Sequence, residues 1–150
     1  MLNPNNKPNP QDESGINYLK GKSAGEAVTV LPVRNFTLNQ DGKHLAELYD
    51  MQLAGAVSFY DFKKSINNTN LLKVGLQYVK SFDGIIQSYP QDNDLAGKGM
   101  VNEDKTTIHL GIKTIPAIAE EVQIARDIQL AVYTGAVSYT HLTLPTTPYV

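Results

Sequence analysis

The clearest chemistry-bearing side chain in this 150-residue sequence is Asp61, in "SFYDFKK", just past a short apolar run and followed by Lys63 and Lys64. A carboxylate there could ligate a metal or carry a proton. It could equally be a loop aspartate or a residue on the approach to a helix. Arg34 and Asn35 follow an earlier apolar run, and Ser88 and Tyr89 end a later one. No two of His44, His109 and His141 share an H-x-H or H-E-x-x-H spacing. His44, opening a helix, and His109, in a long connection, read as solvated surface residues. Glu120, Glu121, Arg126 and Asp127 read as the wet face of an amphipathic helix. No Ser-His-Asp set and no carboxylate pair follows from spacing, and the absence of cysteine excludes a thiolate metal site or a disulfide framework.

What would position these residues is a repeat of strand, helix and glycine. "AVTVLPV" (27–33), "AVSFY" with its exit (56–61) and "GIIQSY" (84–89) are short and apolar, as strands of a parallel sheet covered by helices are. Val28, Ala56 and Gly84 recur at intervals of 28 residues. Helical periodicity fills the gaps. Leu45, Leu48, Tyr49 and Leu53 share a face in a helix predicted over 42–54, and Leu72, Leu76, Val79 and Phe82 share one over 69–82. A third helix, over 116–134, has Pro116 in its first turn and an apolar stripe through Ile118, Val122, Ala125 and Val132. "DESGINYLKGKSAG" is a weaker fourth candidate. Gly25, Gly55, Gly84 and Gly135 each follow a helix, as αβ loops often require, so a strand should begin just after Gly135.

Alternating units of this kind build either a doubly wound sheet or part of a (β/α)8 barrel, and both bind ligands at the carboxyl ends of their strands. No G-x-G-x-x-G or Walker-type loop follows any strand. The units are too few to close a barrel of about 250 residues. A net charge of −2 with scattered Lys and Arg gives no case for nucleic acid. The polar N-terminus is no secretory signal, and no apolar run approaches the roughly 18 residues that span a bilayer. Without a signal, the triplets Asn35-Phe36-Thr37 and Asn67-Asn68-Thr69 read as chance glycosylation matches, and the expected location is cytoplasmic.

Several segments, in this order, resemble dihydroorotases, cyclic amidohydrolases of the amidohydrolase superfamily. "PNNKP" resembles the family's P-N-T-x-P loop, whose asparagine contacts substrate; here that is Asn5. "GKHLAELYDMQLAGAVSFYDF" resembles its helix, glycine and metal-site strand. "GMVNEDKTTIHLGIKTIPAIAEEVQIARDIQLAVYTG" is similar to the stretch reading M-x-E-G, then L-G-x-x-G-I-P-x-x-A-E, then A-R-D. The resemblance implies an incomplete (β/α)8 barrel segment and one or two zinc ions in the family. It also implies hydrolysis, or formation, of the cyclic amide of dihydroorotate in pyrimidine biosynthesis. Zinc would serve by lowering the pKa of bound water to about 7. Asp61 matches a metal-ligating aspartate of many bacterial members, although the glycine expected after it is Phe62.

The departures matter as much. Where the resemblance places a metal histidine at the end of the next strand, the chain has Ser88 or Tyr89. The upstream H-x-H pair, the H-V-S-T-like strand after "YTG" and the final metal aspartate are absent. "AVSYTHLTLPTTPYV" follows Gly135 instead and resembles the translation of a transposase-type sequencing adaptor. The reading is therefore a partial dihydroorotase-like barrel over 1–135 and a non-native tail over 136–150, with no zinc bound by the fragment itself. Three rivals stand beside it. They are a non-catalytic dihydroorotase-like subunit partnering a carbamoyl-transfer enzyme, another cyclic amidohydrolase such as an allantoinase or hydantoinase, and an unrelated αβ binding module. Substrates would be small cyclic amides, with neither nucleic acid nor membrane as partner.

Overall fold

The computed structural model describes residues 13–136 and 138–140. Asn5 and its loop, His141 and residues 141–150 lie outside the described residues. The elements are α1 (Glu13–Ser23), β1 (Val33–Arg34), a 3-10 turn (Leu38–Gln40), α2 (Leu48–Leu53), β2 (Ser58–Phe59), α3 (Thr69–Lys80) and β3 (Ile86–Ser88). Then come α4 (Asn93–Ala96), β4 (Val101–Asn102), α5 (Lys105–His109), β5 (Thr114–Ile115), α6 (Ile118–Thr134) and β6 (Ser138–Thr140). The main sheet has the order β1-β2-β3-β6, and every pairing in it is parallel. Among the described residues its strands follow chain order without a reversal, so no switch point of a doubly wound sheet occurs among them.

α3 shows why the predicted helix forms where it does. Asn68 caps it, its side-chain oxygen accepting the Leu71 N–H at 3.1 Å. Leu72, Leu76 and Val79 are buried at helical spacing, and Phe82 packs partly buried beside them, as the periodicity predicts. They meet Phe59 and Ile86 from the sheet and Phe36, Leu48 and Met51 from the β1–α2 segment in one core. Asn35, the acceptor of the first glycosylation triplet, is fully buried, whereas Asn67, the acceptor of the second, is exposed.

Several expectations need correction. Residues 27–31 lie outside the sheet, with Val28 71% exposed; Pro32 sits at an isolated bridge position, and of the predicted first strand only Val33 belongs to β1. Pro32 explains the late start: it has no N–H to give, while its carbonyl accepts the Val57 N–H at 3.0 Å. The register pairs Val33 with Ser58 and Phe59 with Ile86, so the 28-residue recurrence is not the register. α2 starts at Leu48 rather than at residue 42, and Tyr49 and Leu53 lie outward while Leu48 and Met51 go in. Residues 42–47 are instead drawn back along β1's exit. Thr37 bridges Leu45 antiparallel there, and the Lys43 N–H is bound by Asp41. His44 therefore lies in that loop, exposed as expected but not opening a helix.

α6 is turned the other way from its pattern. Its apolar stripe faces out, with Ile118 48%, Val122 45% and Val132 78% exposed and Ala125 exposed too. Ala119, Gln123, Asp127 and Thr134 are the buried residues, so Asp127 is not on a wet face. The stretch read as one long connection before Pro116 carries α4, α5 and a second parallel pair, β4 with β5, with His109 exposed at the end of α5. Elements of two to five residues are too short to leave a period in the sequence. Gly135 caps α6 in the left-handed conformation (φ 64°), and β6 pairs with β3 soon after, where the grammar of the chain calls for a strand.

Candidate functional site at the carboxyl ends of the strands

Asp61 leaves β2 beside the exit of β1 and is 2% exposed. Its Oδ1 accepts the N–H groups of Phe36 at 2.9 Å and Thr37 at 3.0 Å, and its Oδ2 accepts the Thr37 hydroxyl at 2.5 Å. Thr37 Oγ1 in turn accepts the Gly42 N–H at 3.0 Å, which carries the network into the β1–α2 loop. Burial pushes the Asp61 carboxyl above the ordinary carboxylate range. The Thr37 hydroxyl, the Thr37 and Phe36 N–H groups and the charge of Lys64 pull the other way without cancelling it. Lys64 itself donates to the Gln40 carbonyl at 2.9 Å, and Lys63 lies over the Phe62 ring.

The next strand end is built differently. The Ser88 hydroxyl donates to Asp127 Oδ2, and the other oxygen of Asp127 accepts Arg126 Nε at 2.9 Å and Nη2 at 2.6 Å. Both Ser88 and Asp127 are nearly inaccessible to solvent. Tyr89 follows, partly buried, its phenol raised by burial with smaller contributions from Glu120 and Tyr60. Asn35, at the end of β1, accepts Gln40 Nε2 at 3.0 Å and is fully buried. Asp61, Asn35, Ser88 and Tyr89 thus share the carboxyl edge, as the sequence implies.

Thr37 and Asp127 are the residues of this edge whose place the residue pattern did not reveal. A signal for Asp127 exists. Ala119, Gln123, Asp127 and Thr134 recur at helical spacing on one face, small or polar throughout, and that face is the one α6 buries.

These residues do not fit a zinc ion. Three of the roughly four acceptor directions of an ionised carboxylate are already taken on Asp61. Ser88 gives its proton to Asp127 and replaces no imidazole. Among the described residues, no three His, Cys, Asp or Glu side chains gather closely enough to hold a metal.

Parallel strands in chain order, alternating with helices, define a β/α protein, a class in which ligands generally bind at the carboxyl ends of the strands. A family model described as dihydro-orotase-like matches residues 2–144, and the chain belongs to that family. It is similar to the dihydroorotase of Syntrophus aciditrophicus, 39% identical over 134 residues, which cover 89% of this chain and 32% of that protein. The dihydroorotase of Pelotomaculum thermopropionicum is 38% identical over 133 residues, 89% of this chain and 31% of that one. That of Trichlorobacter lovleyi is 35% identical over 134 residues, 89% and 32% respectively. The chain spans about a third of the length of these relatives.

Proposed function

We propose that the chain is a segment of a dihydroorotase-type (β/α)8 barrel, and that the carboxyl ends of β1, β2 and β3 face a cyclic amide of the dihydroorotate class. In the whole protein the reaction would be hydrolysis or closure of that amide in pyrimidine biosynthesis, with zinc as the family's metal. The observation that carries the reading is the family match over nearly the whole chain, joined to a parallel sheet in barrel order with its polar residues at one edge. Asn5, in the loop resembling P-N-T-x-P, is the proposed substrate contact.

The Ser88–Asp127 hydrogen bond favours a second reading. A strand end with no imidazole suits a non-catalytic dihydroorotase-like subunit, whose partner would be a carbamoyl-transfer enzyme. One experiment separates the two. Dihydroorotate binding and turnover are measured, by calorimetry and by a ring-opening assay, on this chain and on any longer gene product containing it. Zinc-dependent turnover by the longer product supports the enzyme. Binding without turnover supports the subunit. Failure of the longer product to bind sinks the cyclic-amide reading.

A further inference from the structure

We propose that Asp61 and Asp127 are fold locks, which organise the strand ends without a metal and leave this edge zinc-independent. The resemblance casts Asp61 as a zinc ligand, yet its oxygens are bound to groups that cannot move away cheaply. Phe36 N–H and Thr37 N–H are backbone donors, and Phe36 and Thr37 are both fully buried. Turning Asp61 toward a cation would strand both, and an unpaired buried donor is costly. Asp61 and Thr37 are 24 residues apart, so the contact closes the loop from β1 through α2 to β2.

Asp127 performs the matching task one strand further along. It reaches Ser88 across 39 residues and fixes α6 on β3, while Arg126 balances its charge from the same helix. The pairing also accounts for the inverted packing of α6. A helix whose buried face is Ala119, Gln123, Asp127 and Thr134 docks through polar contacts rather than through its apolar stripe. Two carboxylates, Asp61 at the end of β2 and Asp127 of α6 against the end of β3, are therefore each engaged by three hydrogen bonds from protein donors. What a metal would do for the strand ends, hold adjacent strands and loops in register, these hydrogen bonds already do.

The inference stands on this geometry and not on the dihydroorotase reading, so its test is separate. Thermal unfolding of the chain is followed with excess EDTA and with about 0.1 mM zinc chloride, beside Asp61→Asn, Asp61→Ala and Asp127→Ala. A zinc site of micromolar affinity would raise the midpoint by several degrees at that concentration. The expected result is a midpoint that moves by less than about 1 °C between EDTA and zinc. Asp61→Ala and Asp127→Ala should each lower it by roughly 5 °C or more, with Asp61→Asn between. A zinc-dependent rise that disappears in Asp61→Asn overturns the proposal. So do alanine variants that melt like the parent. If either alanine variant fails to fold, that is the loss expected at its limit, and Asp61→Asn with the zinc titration of the parent still decides the metal question.

Discussion

The hydroxyl of Ser88, at the end of β3, donates to Asp127 in the middle of α6, and both partners are buried. Removing either leaves a polar group stranded in the interior, at about 1–3 kcal/mol. Ser88→Ala should therefore destabilise the chain by that order, measured by urea unfolding. The two single variants should not add. Once Ser88 is gone, its bond no longer adds to the loss on removing Asp127, and a double-mutant cycle with Asp127→Ala should show a coupling of about 0.5–3 kcal/mol. Additive losses would mean that the two side chains stabilise the fold independently.

Gly75 sits mid-helix in α3, where glycine is a poor helix former, and Phe36 explains why it is there. A Cβ on Gly75 would lie 2.6 Å from Phe36 Cε2 and 3.3 Å from Leu45 Cδ2. Gly75→Ala would gain about 1 kcal/mol of helix propensity. Crowding a packed ring typically costs about 1–3 kcal/mol. The net expectation is a loss, visible as a lower urea midpoint. Phe36→Leu in the same chain should relieve the crowding and recover part of it. A stabilised Gly75→Ala would show that the ring can step aside.

How much of this was legible in the sequence depended on whether apolar content alone decided the packing. It did for α3, where Leu72, Leu76 and Val79 all bury, and for the parallel order of β1, β2 and β3. It did not for α6. Its richer apolar face, with Ile128 and Tyr133 also exposed, lies outward, while on the other face Asp127 accepts from Ser88 of β3 and the Thr134 carbonyl accepts from Lys80 of α3. A hydrophobic pattern records which side chains prefer to leave water, and carries no information about a single buried hydrogen bond 39 residues away. Asp61 was legible by position and not by role. The exit of β2 is readable from "SFYDFKK", whereas the two backbone donors it meets belong to a loop whose path depends on Pro32 and the turn at residues 38–40.

Asp61 should also leave a signature in pH. Burial raises its folded-state pKa above the unfolded value of about 3.9. The folded chain then holds that proton more tightly than the unfolded chain does. The resulting stability is fully present below the unfolded pKa and is lost as pH rises through the folded one. Asp41 and Asp104, both held low mainly by backbone N–H groups, act in the opposite sense, so the whole-chain profile mixes the two. The difference between the parent and Asp61→Asn isolates the buried group. The parent's stability relative to Asp61→Asn should fall from about pH 4 toward neutrality. A difference that instead grows with pH would place the folded pKa below the unfolded one, with the Thr37 and Phe36 donors outweighing burial.

The tail offers the last test. We propose that residues 136–150 are a non-native extension, as their likeness to translated adaptor suggests, and that β6 forms because the edge of β3 accepts almost any extended backbone. The pairing of Ile86, Gln87 and Ser88 with Ser138, Tyr139 and Thr140 uses main-chain groups that every residue but proline carries. Pro145 and Pro148 cannot extend such a ladder, since each lacks the donor it needs. Ending the chain at Thr140 should therefore leave the thermal midpoint unchanged. Ending it at Gly135 should lower the midpoint, because β3 becomes an unpaired edge and Ala136, which packs against the core, is gone. Replacing Ser138–Thr140 with Val-Thr-Val in the full chain should hold or raise the midpoint if the slot is permissive. A marked loss on that replacement would show that these three residues were selected for this position. The non-native reading would then have to be abandoned, and sequencing the source DNA across the Gly135 and Ala136 codons would show continuous coding sequence.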